Sequence, residues 1–221
     1  GFLRLYAKTD GKWHVKNDAG VEATLGQLSD EWIDVAYNST MNFDLSNSLT
    51  NKLKFLTAAL TGNPAFTISN TAEGLVFIIR IVQDGTGSRT VTWFPVTSEV
   101  VTITTANPGV ITTTKDLKTG TPVKFTSTGT LPTGITSGTT YYWIRTSATT
   151  GNIATTKAGA LAGTTITTSG SPTGDHTMAV QISWAGGEEP DLTTSIHAWD
   201  DFGFIVHSVN QISGVVIAQD M

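Results

Sequence analysis

The sequence lacks cysteine and carries few charges, and each shortage excludes a class of protein. With no Cys among its 221 residues, the chain has no disulfide and no thiolate metal site. Charged residues make up only 14% of it and the formal net charge is −5, so no basic surface for nucleic acid is expected. No apolar run reaches the roughly 18 residues that a membrane-spanning helix needs. We therefore expect the protein neither to bind nucleic acid nor to insert into a membrane.

Small polar residues take the place of the missing charges. Thr, Ser, Gly and Asn supply much of the polar surface, a composition typical of strands and turns rather than helices or disordered chains. The length suffices for one large or two small domains with a real core. The composition therefore predicts an all-β protein.

The most apolar stretch of the chain is Leu75–Val82, interrupted only by Arg80. Its many β-branched residues favour a strand over a buried helix. The segment Asp84–Gly87 (Asp-Gly-Thr-Gly) that follows is a turn signal, and Arg89–Trp93 then alternates polar and apolar residues. We predict a β-hairpin whose first strand lies mid-sheet and is covered on both faces.

The composition changes after Pro95 and returns near Ile182. Within Ser98–Gln181, 26 of 84 residues are Thr and the net charge is +2, whereas the remainder carries −7. This shift predicts an inserted Thr-rich β-module at 98–181, and the alternation of Thr with Val, Ile and Phe argues against a disordered stalk. The strands predicted in the module are Val100–Thr104, Val110–Thr113, Pro122–Phe125, Thr140–Arg145, Thr164–Thr168 and His176–Val180.

The rest of the chain is predicted to form a main domain and an N-terminal segment. Residues 27–97 and 182–221 are assigned to one β-sandwich or jelly-roll-like domain that carries the inserted module in a loop. Residues 1–26 are read as a small hairpin or meander for assembly or attachment, because they hold too few apolar residues for a core. The best helical candidate is Ser29–Tyr37, although a strand from Trp32 is nearly as well supported.

No pattern of residues signals catalysis. The chain has no Cys nucleophile, GxSxG elbow, HExxH pair or phosphate-binding loop, and its four His are scattered. Acidic residues cluster at Glu188, Glu189 and Asp191, with Asp200 and Asp201 nearby in sequence. Without the spacing of a calcium loop, this cluster is better read as a solvated acidic loop than as a metal site. We therefore predict no enzyme activity, no metal and no cofactor.

The densest aromatic run is Tyr141–Arg145 (Tyr-Tyr-Trp-Ile-Arg). On a strand, Tyr141 and Trp143 share one face, and Tyr142 and Ile144 share the other. Packing is the first interpretation, since aromatics are favoured strand residues. The second is an aromatic platform for a sugar, which makes Tyr142, Trp143 and Arg145 the candidate receptor-binding residues.

Three stretches together resemble bacteriophage virion proteins of the tail-fibre and receptor-binding type. They are Leu5–Glu22, with its LYAKTDGK opening, Gln83–Trp93 and Trp184–Thr193. The family pattern usually places the last two close together, whereas here about 90 residues separate their Trp residues. The insert resembles a small β-module of phage structural proteins through the stretches Gly120–Val123, Gly129–Pro132 and Tyr141–Trp143.

The resemblance implies a non-enzymatic virion surface protein at a tail fibre or tail tip. Its expected partners are two further copies of the chain in a homotrimer, other virion proteins, and a host-surface glycan or protein. The alternatives are a capsid decoration or head-fibre protein on the phage shell, a polysaccharide depolymerase, and a bacterial carbohydrate-binding module. The residues leave the receptor unidentified and do not decide whether the inserted module binds it or acts as a spacer.

Overall fold

The computed structural model describes residues 4–7, 13–16, 22–24, 32–46 and 53–221 of the chain. The protein is mostly β, with 44% of residues in strands and one short helix, which confirms the all-β prediction. The elements in chain order are β1 (Arg4–Ala7), β2 (Trp13–Lys16), β3 (Glu22–Thr24), β4 (Ile33–Val35), β5 (Thr40–Asp44), β6 (Leu53–Ala59), β7 (Ala65–Ser69), β8 (Val76–Val82), β9 (Thr97–Ile103), β10 (Ile111–Thr112), β11 (Pro122–Ser127), β12 (Thr140–Arg145), β13 (Thr150–Ala154), α1 (Lys157–Leu161), β14 (His176–Val180), β15 (Ser183–Trp184), β16 (Trp199–Ser208) and β17 (Gln211–Ala218).

The first three strands form a small antiparallel sheet in the order β1-β2-β3. Val15 of β2 lies opposite Leu5 on one side and Ala23 on the other. The meander predicted for the N-terminal segment is confirmed for these strands.

The chain divides into two compact units. The first comprises Gly1–Thr92, Leu192–Ile205 and Val216–Met221, and the second comprises Trp93–Asp191 and Val206–Val215. Strands β16 and β17 therefore contribute residues to both units.

The first unit is organised around β8. This strand pairs in parallel with β6 and antiparallel with β16, and β4 continues the sheet in parallel beside β6. Strands β5 and β7 form a separate parallel pair. The mid-sheet position predicted for Leu75–Val82 is confirmed, whereas its parallel partner was not predicted.

The two faces of β8 are buried to different degrees. Phe77, Ile79 and Ile81 are at most 1% exposed, and the Phe77 ring stacks on that of Phe204 at a centroid distance of 4.8 Å. The residues between them are only half-buried. The expectation that both faces are covered therefore holds fully for one face only.

Arg80, the charge that interrupts the apolar run, lies on the half-buried face of β8. Its guanidinium donates two hydrogen bonds of 2.8 Å to the Asp201 carboxylate. The same group lies 4.3 Å from the Trp32 ring centroid and 3.8 Å from that of Trp199. The ion pair and the two cation–π contacts stabilise the Arg80 charge on the half-buried face of the sheet.

The predicted hairpin after β8 is wrong. Arg89–Trp93 forms no strand beside β8, and its only strand-like contact with the described residues is an isolated parallel bridge between Thr92 and Ala65. The buried Gln83 side chain accepts a hydrogen bond from Arg89 N–H and donates one to Arg89 C=O. These two backbone groups of Arg89 are therefore not available for pairing with β8. Strand β16, which follows more than a hundred residues later, pairs with β8 on this side instead.

The turn signal itself is correct, because Asp84 organises a tight loop. Its Oδ1 accepts hydrogen bonds from the backbone N–H groups of Thr86 and Gly87, at 2.9 and 3.0 Å. Its Oδ2 lies 2.7 Å from Nη2 of Arg89. The Arg89 guanidinium and the two N–H groups lower the pKa of Asp84 below its ordinary value of 3.8.

The Asp84 carboxylate makes the stability of this loop dependent on pH. Because its pKa is lower in the folded than in the unfolded chain, its contribution is present above the ordinary value of 3.8. The contribution is lost as the pH falls through the lowered pKa. We expect Asp84→Asn to lower the thermal midpoint near neutral pH and to converge with wild type as the pH falls below the lowered pKa of Asp84. Exposed Asp34→Asn is the control, and an equal difference at every pH would contradict the prediction.

The helix considered for Ser29–Tyr37 is wrong over its described part. Ile33–Val35 forms the edge strand β4, paired with Leu56–Ala58. The strand alternative is thus confirmed, and residues 29–31 lie outside the described ranges. Ile33 and Val35 are β-branched, which favours a strand over a helix. A nine-residue helix is also too short to be stable without extensive packing.

The second unit contains a closed antiparallel barrel. Its strands follow the order β10-β13-β12-β11-β14-β9, and β9 closes the ring by pairing with β10. The strands predicted at 122–125, 140–145 and 176–180 are confirmed with bounds equal to or slightly longer than expected. Beside the barrel, β15 pairs in parallel with β17 through Ser183 opposite Ser213.

The barrel core is built from one side of each strand. Trp143, Phe125, Val123, Ile153 and Met178 are all at most 1% exposed within it. Closure removes the sheet edges that an open module of short strands would leave unpaired. The module is therefore a rigid support for the loops and side chains on its outer surface.

Two elements of the barrel depart from the sequence prediction. Thr164–Thr168 forms no strand, because Thr168 directs its hydroxyl to the carbonyl of Thr104 at 2.6 Å and holds an irregular segment in place. Helix α1 was not predicted and is capped at its N-terminus by Thr156, whose hydroxyl accepts from Gly159 N–H. No helix in the described ranges is long and apolar enough to cross a membrane.

Candidate functional site

Strand β12 places the three predicted site residues in three different environments. Tyr141 and Trp143 point into the barrel core, and the intervening Tyr142 is half-buried on the outer side. Arg145, at the exposed end of the strand, pairs with Asp116 through a 2.6 Å contact from Nε to Oδ1. The guanidinium lowers the pKa of Asp116.

Trp143 belongs to the core and not to a surface platform. Its side chain is 1% exposed, and Gly151 on β13 packs so closely that a Cβ there would lie 2.3 Å from the indole. The face assignment predicted from alternation is right, but Trp143 is on the face that packs inward. Of the three candidates, Tyr142 lines the cleft that is described next.

The second unit has a cleft of about 350 Å³ beside Tyr142. This volume lies at the lower end of the range for small-molecule sites, roughly 300–1,000 Å³. Its aromatic lining is Trp93, Phe94, Tyr142 and Trp184, and its charged lining is Lys124, Glu188 and Glu189. The side chains of Thr140, Thr155 and Gln181 add hydroxyl and amide groups. We call this the barrel cleft.

Two tryptophans from distant parts of the sequence form the aromatic corner of the barrel cleft. The rings of Trp93 and Trp184 have centroids 5.0 Å apart and planes inclined at 67°. Trp184 is held from behind by Gly214, where a Cβ would lie 2.6 Å from the indole. The corner is therefore fixed by close packing before any ligand arrives.

The loop 185–190 forms the acidic wall of the cleft. Tyr142 donates its hydroxyl proton to the carbonyl of Gly187 at 3.1 Å, and Gly187 takes a positive φ of 85°. Ala185 N–H bonds to the Gly214 carbonyl at 2.9 Å. Lys124 on β11 lies 4.0 Å from Glu189. The Tyr142 hydrogen bond thus ties the loop to the barrel, and the exposed Lys124–Glu189 pair adds little to it.

The charges of the barrel cleft are unequal. Lys124 is its one cationic lining residue, and it is already paired with Glu189. Glu188 is exposed, and no partner for its carboxylate is found among the described residues. The predicted acidic loop is thus one wall of a cleft, and no metal-binding group of three His, Asp or Glu occurs in the described ranges.

A Ser–His contact exists on the barrel but does not line the cleft. Ser127 Oγ lies 3.0 Å from His176 Nδ1, and His176 is 7% exposed. Ser127 Oγ also lies 3.2 Å from the carbonyl of Thr173 and accepts a hydrogen bond from Gly129 N–H at 3.1 Å. This arrangement fits a structural link between β11 and β14 better than an activated nucleophile.

Sequence reasoning missed Trp93 and Trp184 as site residues. Trp93 and Trp184 each belong to one of the two motifs described above. About 90 residues separate them, so the contact between their rings is not evident from the sequence. The signal was present in the family pattern, which places those two motifs close together. No protein-family model matches the chain, and no curated protein sequence matches it.

Proposed function

We propose that the chain is a non-enzymatic receptor-binding protein on the surface of a bacteriophage particle, and that the barrel cleft binds a host-surface glycan. The observation that carries the proposal is the cleft itself, an aromatic corner bordered by hydroxyl, amide and carboxylate groups. This combination suits saccharides, whose C–H faces pack on aromatic rings while their hydroxyls bond to polar side chains.

The support beneath the cleft also suits recognition. Strands β11 and β12 belong to a closed barrel, so Lys124, Thr140 and Tyr142 sit on a rigid base. Loop 185–190 supplies one wall of the cleft, and binding residues are commonly found on loops held by a rigid scaffold. The virion setting, the homotrimer and the contact with other virion proteins are proposed from the sequence resemblance.

Removing the Tyr142 ring is expected to weaken binding to host cells. Tyr142→Ala deletes an aromatic contact and releases the Gly187 carbonyl, which together should reduce affinity about tenfold or more. The measurement is binding of the fluorescently labelled full chain to a panel of bacterial strains, with circular dichroism to confirm folding. Tyr37→Ala is the matched control, because Tyr37 is 40% exposed and lies in the first unit.

Two outcomes would contradict the proposal. Unchanged cell binding by Tyr142→Ala would remove the barrel cleft from receptor recognition. Immunogold label over the phage head, with none at the tail tip, would replace receptor binding with the capsid-decoration alternative.

A further inference from the structure

We propose that the barrel cleft binds an uncharged sugar, and that one hydroxyl of this sugar bridges Lys124 and Glu189. The proposal rests on the proposed function, since it assigns a class of glycan to the same cleft. The expected ligands are neutral hexoses of a cell-surface glycan. The sugars that the cleft excludes are those that carry a carboxylate, such as uronic acids.

Lys124 and Glu189 lie at a spacing that a hydroxyl can bridge. The distance from Lys124 Nζ to Glu189 Oε2 is 4.0 Å, whereas a direct charge-assisted hydrogen bond measures roughly 2.7–2.9 Å. A hydroxyl between them donates its proton to the carboxylate and accepts a hydrogen bond from the ammonium group. A carboxylate or an ammonium group on the ligand would match only one of the two partners.

The same pair is open to a ligand. Both residues line the cleft, and their side chains remain 34% and 47% exposed. An ion pair with this exposure contributes little to stability, so variants of Lys124 or Glu189 are expected to fold. The two side chains are therefore available for binding, and their replacement is a clean test of it.

Tyr142 supplies the apolar contact for the sugar ring. The other aromatic residues of the lining, Trp93, Phe94 and Trp184, are 7%, 1% and 8% exposed and form its buried part. Tyr142 is half-buried, and its hydroxyl is held by the carbonyl of Gly187 at 3.1 Å. The C–H groups of a sugar can pack against this ring without any charge on the ligand.

The charges of the lining disfavour an acidic sugar. Lys124 faces two carboxylates, those of Glu188 and Glu189, so negative charge predominates in the cleft. Lys157, another cation of the second unit, lines a separate recess of about 10 Å³, which is enough space for a single water. A carboxylate on the ligand would therefore meet like charges without gaining an unpaired ammonium group.

Matched pairs of sugars test this selectivity. Glucose, galactose and mannose are each titrated into the full chain beside the corresponding uronate at low salt, with calorimetry and tryptophan fluorescence as readouts. We expect the neutral member of at least one pair to bind about tenfold or more tightly than its uronate. Equal affinities in every pair, tighter binding of the uronates, or no binding of any neutral sugar would overturn the proposal.

Two variants locate the bridging hydroxyl. Lys124→Met removes the ammonium group but keeps the length of the side chain, and it should weaken binding of the preferred neutral sugar about tenfold. Glu189→Gln should also weaken it, and should narrow the difference from the uronate because it removes a negative charge beside Lys124. The double variant should lose little more than either single variant, since both side chains bond to the same hydroxyl.

The matched controls are Lys118→Met and Asp175→Asn, at exposed positions of the second unit outside the cleft lining. Both should leave sugar binding unchanged, and circular dichroism confirms that every variant is folded. If Lys124→Met reduces uronate binding and spares the neutral sugar, Lys124 is an anion site and the bridging role is wrong. Additive losses in the double variant would also contradict a shared hydroxyl.

Cell binding separates this proposal from the proposed function. If Tyr142→Ala abolishes cell binding while no neutral sugar binds or competes, the ligand class is wrong and the receptor-binding role stands. If a neutral sugar binds through Lys124 and Glu189 while cells bind Tyr142→Ala normally, the receptor-binding role is wrong and the ligand class stands.

Discussion

Replacing Trp143 with alanine is expected to destabilise the barrel by about 3–5 kcal/mol, the range for deleting a large buried aromatic side chain. The indole is 1% exposed and packs against Gly151. Because Gly151 has no side chain, it cannot fill the cavity that the substitution leaves. Urea denaturation followed by far-ultraviolet circular dichroism would measure the loss. Trp143 was predicted as a candidate receptor-binding residue, but its burial makes this substitution a test of stability.

Two further variants make this prediction specific. The Trp143 Nε1 is buried with no hydrogen-bond partner among the described residues, a state that costs roughly 1–3 kcal/mol. Trp143→Phe removes that donor while keeping an aromatic ring, so it should cost much less than Trp143→Ala. Tyr142→Ala, on the other face of the same strand, should cost about 1 kcal/mol. Equal losses for Trp143→Ala and Tyr142→Ala would contradict the inward assignment.

Local sequence was enough to predict strands β8 and β12. The β-branched residues of β8 predicted the strand, although the apolar run did not reveal that only the face of Phe77, Ile79 and Ile81 is fully buried. In β12, the strand period correctly placed Tyr141 and Trp143 on one face. Strand β13 carries no such signal, because Gly151 and Asn152 are poor strand formers. Its place depends on tertiary contacts, namely the space that Gly151 leaves for Trp143 and the 2.8 Å hydrogen bond from Asn152 to Gly109.

The candidate site was harder to predict because its parts are distant in sequence. Tyr142 was identified from the aromatic density of its own strand. Trp93 and Trp184 lie about 90 residues apart, and only the barrel between them brings their rings to 5.0 Å. Periodicity within a short window contains no information about such a pairing. The same limitation explains the hairpin error, since the partner that β8 found, β16, follows it by more than a hundred residues.

Replacing Gln83 with leucine is expected to destabilise the first unit by about 2–4 kcal/mol, since each buried polar group left unpaired costs roughly 1–3 kcal/mol. Gln83 is 2% exposed, and its Nε2 donates to the carbonyls of Arg89 and Thr193 at 3.0 and 2.8 Å. Its Oε1 accepts from Arg89 N–H at 2.8 Å. Leucine retains most of the volume, so the loss would report these three hydrogen bonds and not a cavity.

The control is Glu73→Leu at an exposed position of the first unit, which should change the unfolding free energy by less than about 0.5 kcal/mol. A local readout distinguishes loss of the loop connection from general destabilisation. Hydrogen exchange at Arg89 N–H should accelerate in Gln83→Leu, because this N–H donates to the Gln83 side chain. The β8 amides bond to neighbouring strands and should remain protected under the same conditions. If Arg89 N–H exchanges as slowly as in wild type, Gln83 does not hold the segment out of the sheet. Another cause would then be needed for the absence of a hairpin after β8.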